Sequence, residues 1–109
     1  MDFDLQVGNQ GDTSVVRVFG EVDVYTAPRL DECLQSLISS GTNRIAVDLE
    51  NCAYIDSEGI KVLIKAVRER DGQPSLAICG ARGIVLRILE ITGLQALFEL
   101  LPSIRDLPA

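Results

Sequence analysis

Apolar side chains recur at every second position over Phe3, Leu5 and Val7, and gather again through Val15-Val16-Arg17-Val18-Phe19. Between them lie the turn formers Gly8-Asn9-Gln10-Gly11-Asp12. Alternation on either side of a turn predicts two strands joined as a hairpin. Gly20-Glu21-Val22-Asp23-Val24-Tyr25 follows as a loop. The period then changes: Leu30, Cys33, Leu34, Leu37 and Ile38 fall at helical spacing on one face. Ahead of them, Thr26 can cap the helix, and Pro28 sits in a first turn that does not need its missing N–H. Gly41 is the expected stop.

Arg44 to Leu49 alternates Ile45, Val47 and Leu49 with smaller or charged residues, which predicts a third strand. The stretch Tyr54-Ile55-Asp56-Ser57-Glu58-Gly59-Ile60 then leads into a second helix, with Ile60, Leu63, Ile64 and Val67 as its buried stripe and Asp71-Gly72-Gln73-Pro74 at its end. Lys61, Lys65 and Arg68 line another face of that helix and read as a solvated stripe. Leu76 to Cys79 is a fourth strand, and Ile84, Val85, Ile88 and Leu89 mark a third helix closing at Thr92-Gly93. The tail Leu97-Phe98-Glu99-Leu100 is a last short strand, with a final helical turn or two between Pro102 and Leu107. The order ββαβαβαβ, with a terminal helical segment, implies an α/β fold whose mixed sheet of about four or five strands carries helices packed against it.

No repeat, low-complexity tract or linker divides the chain, so residues 1–109 are expected to form one domain. With 47% hydrophobic side chains over 109 residues, it can close a single core without metal or disulfide. Ten Lys and Arg stand against sixteen Asp and Glu, a net charge of −6. That balance argues against nucleic acid, whose phosphates need cations, and favours a basic protein partner. No apolar run reaches the roughly 18 residues of a membrane span, and Met-Asp-Phe-Asp lacks the features of a signal peptide, so a soluble cytoplasmic protein is expected. Cys33, Cys52 and Cys79 are an odd set without a CxxC pair, which fits free thiols in a reducing compartment. A redox pairing of Cys52 with Cys79 requires their strands to be neighbours.

The chemistry concentrates at Asp56-Ser57-Glu58-Gly59. The chain has no histidine, so neither a Ser-His-Asp relay nor a histidine metal site can be built. Gly80-Ala81-Arg82-Gly83 follows a strand and opens a helix, but lacks the GxGxxG and Gly-Lys-Ser/Thr fingerprints and reads as an ordinary turn. Catalysis and cofactor binding are therefore not expected. Either Asp56 or Ser57 can cap the second helix, worth about 1 kcal/mol. Capping leaves Gly59 unexplained, because glycine in a first turn costs about 0.5–1 kcal/mol unless close approach or an unusual dihedral is required. A strand end, a turn and a helix start would put Ser57 at the surface beside free N–H groups, a place that tolerates an anion. A phosphate there adds about −1.5 to −2 charges, enough to disrupt a partner fitted to the bare serine without unfolding the domain.

Asp56-Ser57-Glu58-Gly59-Ile60 resembles the Asp-Ser-Ser/Thr-Gly-Leu/Ile motif of bacterial anti-sigma factor antagonists, the single-domain members of the STAS fold. Gly20-Glu21-Val22-Asp23-Val24-Tyr25-Thr26-Ala27 is similar to that family's loop before helix one, and Val85 to Leu94 to its helix-three ending with Thr-Gly-Leu. The three stretches come in the family's order and span nearly the whole chain. The resemblance implies a partner switch. The unphosphorylated protein binds an anti-sigma factor that is itself a serine kinase, and so frees a sigma factor. Phosphorylation of Ser57 by that kinase ends binding, and a PP2C-type phosphatase reverses it. By the same resemblance Asp56 shapes the motif, Gly59 allows close approach and Asp23 lies on the partner-binding face. ATP and Mg²⁺ belong to the kinase, and the antagonist is expected to be a monomer when free. Glu58 departs from the family's small Ser or Thr; it is either a first-turn acid suited to the helix dipole or a residue that alters partner choice. The alternative reading is a STAS scaffold or accessory subunit of a larger complex in which Ser57 is structural.

Overall fold

The computed structural model describes residues 2–70 and 76–108. Strand β1, Asp4–Gln10, pairs antiparallel with β2, Thr13–Val22. The connection is only Gly11-Asp12, with Gly11 at φ 58°, so Gly8, Asn9 and Gln10 continue the strand instead of forming the expected turn. A glycine at the first central position is what such a tight hairpin requires. β2 also runs further than its sequence suggests, because Gly20, Glu21 and Val22 remain in the sheet and the loop shrinks to residues 23–26. Gly20 has φ 89°, and the register shifts between it and Glu21, an irregularity that a side chain would not tolerate.

Helix α1, Ala27–Ser39, leads to β3, Arg44–Asp48, which pairs parallel with β2. Cys52–Ile55 then forms a strand of its own, β4, parallel to β2 beyond the reach of β3, where the sequence reading placed only an approach to the next helix. Helix α2 spans Ser57–Glu69, β5 Ala77–Cys79, α3 Gly83–Ile91 and β6 Glu99–Leu101. The sheet order is β1-β2-β3-β5-β6, with β4 attached to β2. The α/β class stands, with six strands among the described residues instead of four or five. The expected ending of α2 at Asp71 to Pro74 lies outside the described residues.

Strand alternation divides the core in two. Val16, Val18, Ile45, Val47 and Ile78 face the helices, meeting Leu30 and Leu34 of α1, Leu63 of α2 and Leu89 of α3. On the opposite face Val15, Ala46, Ala77 and Cys79 are covered by the C-terminal segment, through Leu101, Ile104 and Leu107. Both faces of β3 are therefore buried, which explains why its inner positions Ala46 and Asp48 are as inaccessible as Val47. Each of the fully buried leucines contributes on the order of 2–5 kcal/mol against truncation to alanine. Arg70, at the end of α2, is buried and donates to the carbonyls of Thr42 and Asn43, tying that helix end to the α1–β3 connection.

The cysteines are all free. β4 pairs with β2 while β5 pairs with β3 and β6, and Cys52 and Cys79 lie in the two separate halves of the core. The strands predicted beside them, β3 and β5, are neighbours, but Cys52 itself lies beyond β3 on β4, attached to β2, so the neighbouring strands do not bring the two thiols together as a pair. Burial pushes the Cys33 and Cys52 thiols up, and pushes Cys79 up to about 12, where the charges of Asp48, Glu99 and Asp106 add to it. A protonated buried thiol is a poor nucleophile. The raised Cys79 value has a thermodynamic consequence. Native Cys79 keeps a proton that the unfolded chain releases near pH 9, so its contribution is complete below that pH and is lost as pH rises toward 12. Urea unfolding between pH 8 and 11 should show stability declining in the wild type and a shallower decline in Cys79→Ala; identical slopes would exclude this contribution.

Candidate functional site: a serine beside an apolar loop

Two segments leave the sheet side by side. In the parallel pairing of β2 with β4, Val22 is the partner of Ile55, and each strand ends there. Asp23 therefore follows one strand end and Asp56 the other, and the Asp56 N–H donates to the Val22 carbonyl at 3.0 Å. This pairing joins two stretches that are 33 residues apart in the sequence.

At the first exit, Asp23 organises the loop. Its Oδ1 accepts from the N–H groups of Tyr25 and Thr26 at 2.9 and 3.0 Å. Thr26 occupies the N-cap position of α1 without capping it. Its hydroxyl accepts from the Asp23 N–H and donates to the Glu21 carbonyl at 2.8 Å. The loop is rigidly bonded from within, and the side chains it presents outward are Val24, 56% exposed, and Tyr25, 86% exposed. Neither was singled out in the sequence, although two apolar residues inside a turn segment were a usable signal.

At the second exit, Asp56 is the cap. It has extended backbone, and its Oδ1 accepts from the N–H groups of Glu58 at 2.9 Å and Gly59 at 3.3 Å. The choice between Asp56 and Ser57 is thus settled, and Ser57 is released from structural duty: it is exposed, begins α2, and its hydroxyl has no hydrogen bond among the described residues. The expectation of free N–H groups beside Ser57 needs correction, because Asp56 has taken two of them. Glu58 is half-buried and accepts from Lys61 Nζ at 3.1 Å.

Gly59 is buried. A Cβ on it would lie 2.5 Å from Ile55 Cγ1 and 2.7 Å from Val22 Cγ1. Its missing side chain lets α2 settle on the Val22–Ile55 pair that aligns both exits. The basic stripe of α2 is only partly a solvated face: Lys65 reaches across to Asp31 of α1 at 3.2 Å. Between α1 and α2 lies an open cavity of about 230 Å³ lined by Val24, Pro28, Asp31, Glu58, Lys61 and Lys65.

The site offers an exposed hydroxyl beside a loop that presents two apolar side chains, with the acidic groups of Asp56 and Glu58 on either side of it in the chain. No group of three or more His, Cys, Asp and Glu among the described residues could hold a metal. No helix of the described residues is long and apolar enough to cross a membrane. The STAS domain family model matches residues 4–107, and the chain belongs to that family. The anti-sigma-B factor antagonist of Staphylococcus aureus is 37% identical over 102 residues, covering 91% of this chain and 93% of that protein. The crystal structure of an anti-sigma factor antagonist from Mycobacterium paratuberculosis superposes with a TM-score of 0.89 at 27% identity, covering 96% of this chain and 90% of that one. SpoIIAA of Bacillus in its phosphorylated form has a TM-score of 0.68 at 20% identity, over 91% and 90% of the two chains, a likeness of fold.

Proposed function

We propose that this chain is an anti-sigma factor antagonist whose binding is switched off by a phosphate on Ser57. The unmodified protein binds an anti-sigma factor that is a serine kinase, releasing a sigma factor. The kinase supplies ATP and Mg²⁺ and modifies Ser57, and a PP2C-type phosphatase restores the active form. The chain itself is a binding protein and a kinase substrate, monomeric when free and acting in the cytoplasm. The antagonist role is supported by the extended relationship to the S. aureus protein. The phosphate switch rests on one geometric observation: the Val22–Ile55 pairing sets an exposed, unbonded Ser57 next to the loop that presents Val24 and Tyr25.

Each residue then has a physical role. Val24 and Tyr25 supply apolar area of the kind that anchors interfaces. Asp56 holds the first turn so that Ser57 points outward, and Asp23 holds the loop. The arrival of about −1.5 to −2 charges beside Asp56 and Glu58 adds bulk, desolvation and like-charge contact where the partner sits.

Peptide mass spectrometry of the protein from its own cells tests the switch. The Ser57 peptide should carry phosphate in a fraction that varies with growth state, and Ser57→Ala should carry none. A well-covered Ser57 peptide that stays unmodified in every condition would leave a constitutive binder or scaffold.

A further inference from the structure

The helix start is already occupied when the phosphate arrives. Asp56 Oδ1 holds the N–H groups of Glu58 and Gly59, and the Ile60 N–H is bonded to the Asp56 carbonyl. Those three N–H groups are not free for a phosphate on Ser57, which leaves a nearby side chain as the main source of counter-charge. Among the described residues lining the cavity at this end of α2, the cations are Lys61 and Lys65. Lys65 is engaged with Asp31 of the neighbouring helix. Lys61 lies one turn beyond Ser57, its side chain 72% exposed and, among the described residues, held by Glu58 three residues before it.

Resting on the proposed modification of Ser57, we infer that Lys61 is the positioning residue for the phosphate: its ammonium leaves Glu58 and pairs with phosphoserine 57, freeing the Glu58 carboxylate. Spacing and charge both favour the exchange. An acid four residues N-terminal to a lysine is a well-oriented pair on a helix. A phosphate also carries nearly twice the charge of a carboxylate and three strong acceptors. Lysine suits the task because its ammonium is a compact charge on a flexible stem, able to move between two partners one residue apart. The other charged groups brought to this end of α2 are Asp56 on its own turn, Asp23 from the β2–α1 loop, and Asp31 with Lys65 across the cavity. The acids raise the second pKa of the phosphate, and Lys61 opposes them. Glu58 thus has a defined part: it stores Lys61 in the unmodified protein and becomes a further free negative charge in the modified one. The neutral Glu58–Lys61 surface seen by a partner is replaced by a phosphate–lysine pair beside an unpaired carboxylate.

The test uses the full chain with phosphoserine installed at position 57 during translation, so that no kinase is needed, and follows the ³¹P shift against pH. Lys61→Met should raise the second phosphate pKa by about 0.2–0.4 units, while Lys65→Met should move it by no more than about 0.1. Glu58→Gln should lower it, and by less in the Lys61→Met background, because part of the effect is the release of Lys61. The Lys61 effect should shrink in about 1 M salt. A Lys61→Met value equal to wild type, or equal shifts from Lys61→Met and Lys65→Met, would overturn the pairing. Lys61 and Lys65 are exposed and Glu58 is half-buried at the helix surface, so each substitution leaves the core packing untouched. An unmodified Ser57 in cells would remove the switch and leave this pairing intact; an unmoved pKa would remove the pairing and leave the switch.

Discussion

Gly59→Ala should lower the stability of the domain by about 1–3 kcal/mol, although alanine is the better helix former. Replacing glycine inside a helix ordinarily gains up to about 1 kcal/mol. Here the added methyl would sit 2.5 Å from Ile55 Cγ1 and 2.7 Å from Val22 Cγ1. Those atoms belong to β-branched side chains that are stiff at χ1 and cannot swing aside freely. Both residues are fully buried, with neighbours on every side. The first turn of α2 must then lift from the strand pair, and the overlap outweighs the gain in propensity. Thermal unfolding followed by circular dichroism should show a fall of roughly 5–15 °C. A melting temperature within about 1 °C of wild type would mean that α2 does not rest on Val22 and Ile55 as described. Because the same pair aligns Asp23 with Asp56, partner affinity should fall along with stability.

Phosphoserine at position 57 should weaken binding to the anti-sigma partner by about 100-fold or more, a loss of roughly 2.7 kcal/mol or greater. The stability of the isolated domain should change little, since an exposed i, i+4 phosphate–lysine pair on a helix contributes only about 0.2–0.5 kcal/mol. Contact with a partner is different: Ser57 is exposed beside the loop that presents Val24 and Tyr25, and a close-fitting surface there would have to desolvate the phosphate. Calorimetric titration of the partner with unmodified, phosphoserine 57 and Ser57→Ala forms separates these effects. The alanine form should bind within a few fold of wild type. If all three forms bind alike, Ser57 lies outside the interface.

Periodicity in the sequence was enough to place the three helices, the opening strands and the α/β class. The signals are local: apolar side chains must repeat at 2 or 3.6 residues to bury one face, and Gly41 and Gly93, at φ 77° and 74°, end helices where their positions suggest. The same locality made Asp56-Ser57-Glu58-Gly59 stand out, since an acid, a serine and a glycine at a helix start carry turn and capping chemistry that needs no distant partner. Boundaries set by competition between neighbouring signals were less legible. Gly8 and Gly20 read as turn residues, yet both lie in strands, because ladder pairing with β2 and a register irregularity override local preference.

The site itself was decided by tertiary structure. β4 is four residues long, Cys52–Ile55, and too short to show a period; it is a strand because it pairs with the end of β2. That pairing sets the Asp23 loop beside Ser57. It also turns Gly59 from a flexible residue into a packing requirement and gives Asp56 a fixed donor contact to Val22. Val24 and Tyr25 became candidates only when the loop was seen to bond inward through Asp23 and Thr26, leaving their side chains outside. Sequence alone determines the elements and the chemistry each can carry, because both depend on near neighbours. Which elements stand next to each other depends on long-range pairing and on side-chain volume, and in this protein that adjacency is what sets an exposed serine beside an exposed apolar loop.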